Sequence, residues 1–327
     1  MKVLGLGNAL VDILIQLDDD GIVESLNFPK GSMQLINQGD IAGITKKTEL
    51  LPAQMVSGGS AANTIHGLAS LGTSCGFIGK VGKDELGRFY TKDLQSAGVD
   101  ACLLNSETVT GRAYTLITPD TERTFATYLG AAVEMQAYEL DESIFSRYSL
   151  FHVEGYLVQN TTLIESAMRI AKSKGLKISL DLASFNVVEA TLEFLRTLIP
   201  RYVDIIFANE EEARSFTGKS PKAALKELGE ISEIAVVKIG EKGSMVQSGN
   251  EFHEIGIFPA DCIDTTGAGD QYAAGFLHGL SLGFNLNICG EIGTLLAGRV
   301  IENYGARIPQ ELWPGILEKV RSISMKK

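Results

Sequence analysis

Short apolar runs alternate with longer segments of helical spacing along most of this chain. Val3-Leu4-Gly5-Leu6 is a brief apolar run beside glycine, which predicts a buried strand. Residues 60–71 then place Ala62, Ile65, Leu68 and Ala69 on one helical face. Further strands are predicted over 74–81, 150–153, 177–182, 204–208 and 234–239. Helices are predicted over 84–97, 161–174 and 189–199, ended by Gly98, Gly175 and Pro200. A chain that alternates strand and helix packs a mainly parallel sheet between helical layers, so the expected class is α/β.

Two stretches break the alternation, about 13–37 and 108–128. The second contains Arg112 to Thr118 and Arg123 to Tyr128, strand-like and polar-alternating, with Pro119-Asp120 as a turn between them. Both stretches read as a small β-lid inserted into one domain that spans 1–327. No repeat, low-complexity tract or long linker divides the chain. The tail Met325-Lys326-Lys327 is expected to fray.

Composition mainly excludes. A net charge of −11 argues against non-specific nucleic-acid binding, which needs Lys and Arg against phosphates. Cys75, Cys102, Cys262 and Cys289 form no Cys-x-x-Cys pair and read as buried apolar residues in a reducing compartment. The four histidines lie at no metal-ligand spacing. No signal segment or membrane-spanning run is found, so the expected location is the cytoplasm, without a membrane partner.

The chemistry concentrates in Asp264-Thr265-Thr266-Gly267-Ala268-Gly269-Asp270. Small residues at Gly267, Ala268 and Gly269 let backbone amides approach a ligand. The helical spacing that follows puts those amides at a helix N-terminus, which suits a phosphate. Asp270 beside such a cradle is placed to accept a proton from an attacking hydroxyl; the plain alternative is a helix cap. Ser57-Gly58-Gly59-Ser60-Ala61-Ala62-Asn63 is a second glycine–helix junction. Gly5-Leu6-Gly7 lacks the third glycine of a dinucleotide fingerprint, since residue 10 is Leu, and no Walker A loop occurs.

The two glycine motifs, in this order and about 200 residues apart, resemble those of the ribokinase-like (PfkB) family of small-molecule kinases. The resemblance implies a ribokinase-like fold, ATP and magnesium as cofactors, and Asp270 as the base. It assigns Asn8, Asp12, Gly58, Gly59 and Asn63 to the acceptor, with a turn or lid-hinge role as the other reading of Asp12. Arg123, on the lid, would reach the transferring phosphate or stay a solvated charge. Tyr156 would stack on the acceptor or pack in the core. Asn209 and Glu212 match an Asn-x-x-Glu motif that positions magnesium through water; Glu210 and Glu211 more simply favour the helix dipole. Lys238, Gly240 and Gly243 border the nucleotide, where many members carry Thr instead of Lys238, and the two glycines also suit a turn between hairpin strands. Asn303 falls in a loop near the adenine. Asp264 and Thr266 match part of a potassium site. Stretches such as Gly7 to Ile13 and Tyr202 to Glu210 look closer to adenosine kinases than to sugar kinases. Phosphorylation of a nucleoside 5′-hydroxyl is therefore the first expectation, and a sugar or sugar-acid kinase the second. A catalytically retired nucleoside-binding regulator is the non-enzyme alternative, and the missing fingerprint disfavours a dehydrogenase. The expected partners are ATP and a small-molecule acceptor, in a monomer or a homodimer paired through an exposed lid edge.

Overall fold

The computed structural model describes residues 1–325, so Lys326 and Lys327 of the basic tail lie outside the described residues. The strands in chain order are β1 (Val3–Leu6), β2 (Leu10–Gln16), β3 (Met33–Leu35), β4 (Ala53–Gly58), β5 (Cys75–Gly82), β6 (Asp100–Ser106) and β7 (Gly111–Ile117). They continue as β8 (Arg123–Tyr128), β9 (Leu150–Glu154), β10 (Lys177–Asp181), β11 (Ile205–Asn209), β12 (Ile234–Lys238), β13 (Ser244–Ser248) and β14 (Glu251–Ile255).

Nine of these strands form one sheet in the order β14-β13-β12-β11-β10-β9-β1-β5-β6. Pairing is parallel from β12 to β6, and β13 and β14 close one edge as antiparallel strands. Successive side chains of β1 point to opposite faces, so Val3 joins one apolar core while Leu4 and Leu6 join the other. The first core is covered by helices Ser60–Ser70, Glu85–Ser96, Ala268–Ser281, Leu286–Val300 and Trp313–Ser324. Helices Thr161–Ser173, Phe185–Tyr202, Glu210–Thr217 and Pro221–Ile231 cover the second. The result is the ribokinase-like α/β fold. Among the described residues no helix is long and apolar enough to cross a membrane.

The lid is a second sheet in the order β3-β8-β7-β2-β4. Ile15, Leu17, Tyr114, Leu116 and Ala126 bury one of its faces against Val23 and Ile44 of helices Gly21–Ser25 and Gln38–Thr48. The stretch 13–37 is therefore partly helical rather than wholly strand-like. Strands β4 and β6 and helix Gln38–Thr48 lie where no element was expected. Residues 53–55 of β4 are exposed, so no apolar alternation marks that strand. Pro200 does not end its helix, which runs from Phe185 to Tyr202 with a kink at Thr191 (φ −122°, ψ 16°). In the last turn proline forfeits a single N–H bond, and burial of Leu198, Ile199 and Tyr202 holds the turn in place. The cysteines are all free, but only Cys75 and Cys289 are buried; Cys102 is half-buried and Cys262 exposed.

Candidate active site

The chain enters helix Ala268–Ser281 through Gly267, whose φ of +75° is left-handed. A Cβ there would lie 2.6 Å from Ala306, so both conformation and space demand glycine. The Ala268 amide turns back to Thr265 O at 3.2 Å, which removes it from the expected cradle. The amides of Gly267, Gly269 and Asp270 keep no partner among the described residues. A Cβ on Gly269 would sit 2.9 Å from Lys238 Nζ, so that ammonium stands directly over the cradle.

Asp270 is half-buried in the first helical turn. Its carboxylate accepts from Ser60 Oγ at 2.7 Å and Asn63 Nδ2 at 2.9 Å, both on the helix that follows Gly59. Burial pushes its pKa up to about 6 against those two hydrogen bonds; Asp181 adds to the rise and Lys238 opposes it. The carboxylate thus faces its own helix dipole and two donors, yet is held near neutrality.

The second junction completes the opposite wall. Gly59 has φ +97°, and a Cβ there would lie 2.1 Å from Asn8 O. A Cβ on Gly58 would lie 2.2 Å from an Asp12 carboxylate oxygen, so Gly58 makes room for that group. Asp12, on β2, is raised to about 7 by burial, with Arg307 opposing and Asp270 adding. It lines a cavity of about 110 Å³ with Leu14, Thr115, Phe125, Asp264 and Thr266. The Asn8 amide and Nδ2 donate to Glu154 Oε1 at 2.9 and 2.6 Å, and Ala61 N donates to Glu154 Oε2 at 3.0 Å. Asn8 Oδ1 is buried without a partner among the described residues. Glu154 is fully buried and raised to about 7, chiefly by that burial.

On the other side of Asp270, Lys238 at the end of β12 donates to Asp181 Oδ2 at 2.8 Å. Asn209 and Glu212 hold each other: Asn209 Oδ1 accepts from Glu212 N at 2.8 Å and Asn209 Nδ2 donates to Glu212 Oε1 at 2.7 Å. Glu212 is raised to about 7 by burial and by Asp181, with Lys238 opposing. Two carboxylates therefore share one ammonium, a set that a hydrated divalent cation would neutralise further. Among the described residues no three His, Cys, Asp or Glu side chains gather as a dedicated metal cage.

Several expected residues have surroundings that the sequence did not specify. The Arg123 guanidinium binds the Asp264 carboxylate and the Thr266 hydroxyl, which line the cavity beside Asp12. Asp264 also accepts from Thr266 N at 2.6 Å and Gly305 N at 2.8 Å. The Asp264 carboxylate thus has its positive charge supplied by a guanidinium, a side-chain pairing that leaves the backbone carbonyls of the potassium expectation untouched. Asn303 Nδ2 donates to Arg299 O at 3.0 Å and caps the preceding helix. Tyr156 is 43% exposed, which excludes core packing, and burial followed by Glu154, Asp270, Glu212 and Asp181 raises its hydroxyl to about 12. Gly240 (φ +56°) and Gly243 (φ +92°) form the turn between β12 and antiparallel β13, with open space beside Gly240.

Ser60, Glu154, Asp181 and Arg307 were not singled out by sequence. Glu154 and Asp181 each end a buried strand, and a charged residue in that position is a usable signal. Arg307 lies one residue beyond the Asn303-to-Ala306 loop, and its partners are all remote in sequence.

The profile of the pfkB family carbohydrate kinase matches residues 46–313. A probable sugar kinase protein from Rhizobium etli CFN 42 is 32% identical over 98% of both chains, with a TM-score of 0.87. The adenosine kinase of Sinorhizobium meliloti is 35% identical over 98% of both chains, with a TM-score of 0.85. The 5-dehydro-2-deoxygluconokinase of Geobacillus kaustophilus is 30% identical over 76% of this chain and 79% of that protein.

Proposed function

Because the chain belongs to the pfkB family of carbohydrate kinases, phosphotransferases that act on hydroxyl groups, we propose that it transfers the γ-phosphoryl group of ATP to the primary hydroxyl of a nucleoside, adenosine first. The observation that carries the reading is Asp270, held by Ser60 and Asn63 beside the unpaired amides of Gly267 and Gly269. The terminal phosphates of ATP lie across those amides, with the Lys238 ammonium adding positive charge. Gly240 leaves space open beside β12 for the nucleotide. Magnesium, when bound, neutralises phosphate oxygens; Asp181 and Glu212, with Asn209 fixing the latter, are the residues that would hold its waters.

Asp12 accepts two hydrogen bonds from the vicinal hydroxyls of a ribose, and Asn8 Oδ1 accepts a further one. Gly58 and Gly59 bring the backbone close, and Asn63 faces the base. The exposed ring of Tyr156 offers a flat surface for a nucleobase. The acceptor hydroxyl then attacks in line, and Asp270 takes its proton as the O–P bond forms. With a pKa raised to about 6, Asp270 is ionised at neutral pH yet a better proton acceptor than an ordinary aspartate.

A second reading, a sugar-acid acceptor, is favoured by the relatives named 5-dehydro-2-deoxygluconokinase. ADP release over a panel of nucleosides, pentoses, hexoses and sugar acids separates the two. The nucleoside reading expects the highest kcat/KM with adenosine or a close analogue; a sugar acid at the top of the panel overturns it. Absence of ATP-dependent product with every acceptor in the panel would return the retired-kinase alternative.

A further inference from the structure

We propose that Arg307 is a positioning residue that orients Asn63 onto Asp270 and holds charge beside Asp12, coupling the acceptor side of the site to its base. The inference rests on the reading of Asp270 as base given above. Arg307 comes from the loop between helices Leu286–Val300 and Trp313–Ser324. Its Nε donates to Asn63 Oδ1 at 3.2 Å. Its Nη2 donates to the Ser57 carbonyl, and to Ser57 Oγ at 2.7 Å. The Ser57 hydroxyl and amide donate in turn to Asp93 Oδ2 at 2.5 and 3.2 Å. A line of hydrogen bonds thus runs from Asp93 through Ser57, Arg307 and Asn63 to Asp270.

The direction of that line follows from the chemistry of an amide. Asn63 has one oxygen, which accepts, and one NH₂, which donates. Arg307 carries donors only, so it forces the Asn63 oxygen toward itself. The Asn63 NH₂ must then point at Asp270 Oδ2, where it sits at 2.9 Å. A flipped amide would set two donors against each other and an oxygen against a carboxylate.

The same guanidinium acts through charge. It faces the Asp12, Asp93 and Asp270 carboxylates, the Tyr90 hydroxyl and the His66 ring. Asp12 meets Arg307 as its principal opposing charge and Asp270 as a like charge, with Asp264 across the cavity. Asp270 is also faced by Ser60, Asn63, Asp181, Lys238 and Glu154. Three acids around one cation make removal of that cation felt at both ends.

Lysine and methionine divide the two roles. Lysine keeps a point charge but cannot span Asn63 and Ser57 with a planar fork. Arg307→Lys is expected to keep the acceptor KM within about threefold while kcat falls about tenfold, the scale of one charge-assisted hydrogen bond. Arg307→Met is expected to raise acceptor KM as well, leave ATP KM unchanged, and shift the acid limb of the pH–rate profile up by about one unit. The same shift is read without turnover from ¹³C-aspartate NMR titration of Asp12 and Asp270 in the free protein. An unshifted titration in Arg307→Met, or Arg307→Lys with wild-type kcat, overturns the proposal. If Arg307→Met does not fold, the kcat-against-KM split in Arg307→Lys decides alone. If the wild type prefers a sugar acid, the nucleoside reading falls and the same variants are assayed with that acceptor. If it phosphorylates nothing in the panel, the titration alone decides.

Discussion

Replacing Asp270 by asparagine separates two consequences of its burial. The carboxylate is raised from 3.8 to about 6, mainly because burial penalises its charge. An acid whose folded pKa lies above its unfolded value destabilises the fold once both states are ionised. That penalty is about 3 kcal/mol for about two pH units, present above pH ~6 and gone below pH ~4. Asparagine is near-isosteric and can still accept from Ser60 Oγ or Asn63 Nδ2 with its oxygen. The variant is therefore expected to be more stable than wild type by roughly 1–3 kcal/mol at about pH 8, a rise of a few degrees in Tm. The difference is expected to vanish near pH 4. Turnover moves the other way: losing a positioned base costs about 10²–10⁴-fold, with ATP KM little changed. Urea denaturation at the two pH values and a coupled ADP-release assay measure both. A kcat within tenfold of wild type removes Asp270 from the base role. A stability difference that is the same at both pH values refutes the burial argument.

Gly59→Ala is expected to cost at least about 2 kcal/mol, since φ of +97° disfavours a side chain and Asn8 O stands 2.1 Å from the new Cβ; an unchanged urea midpoint contradicts this. Lys238→Met leaves the Asp181 carboxylate buried without its ammonium, a loss of about 3–5 kcal/mol. ATP KM rises in that variant while acceptor KM does not, and equal rises in both would place Lys238 outside the phosphate site. Activity is expected to fall below about pH 7 as Asp12 (about 7) and then Asp270 (about 6) take up protons, although protonation of these raised acids stabilises the fold. A pH–rate profile flat down to about pH 5 refutes that assignment.

What could be read from sequence follows from how locally each requirement is met. A phosphate cradle needs glycines, a helix start and an acid in one contiguous run, so Gly267 to Asp270 carry their own context. The buried strands of the large sheet are apolar on both faces, and nearly all of their positions were legible. Strand β4 was not, because exposed residues erase the alternation that marks a strand. The pairings of Glu154 and Arg307 were invisible for another reason. Their partners lie 146 residues away at Asn8 and 244 away at Asn63, and nothing in a single sequence pairs them. Arg123 shows the limit of motif transfer. Its position on the lid was right, but its charge is spent on Asp264, a residue that the motif assigned to a cation of a different kind.

That ion pair has a kinetic meaning. Arg123 belongs to β8 of the small sheet, and Asp264 to the loop that leads into helix Ala268–Ser281. The two layers are stapled by opposite charges beside the cavity that Asp12 lines. Movement of the small sheet away from that loop would have to part the pair, which makes egress of a phosphorylated product the step its strength would slow. Because the Asp264 side chain is 2% exposed, salt screens the pair weakly, so Arg123→Gln rather than added salt should quicken steady-state cycling while leaving a single-turnover burst untouched.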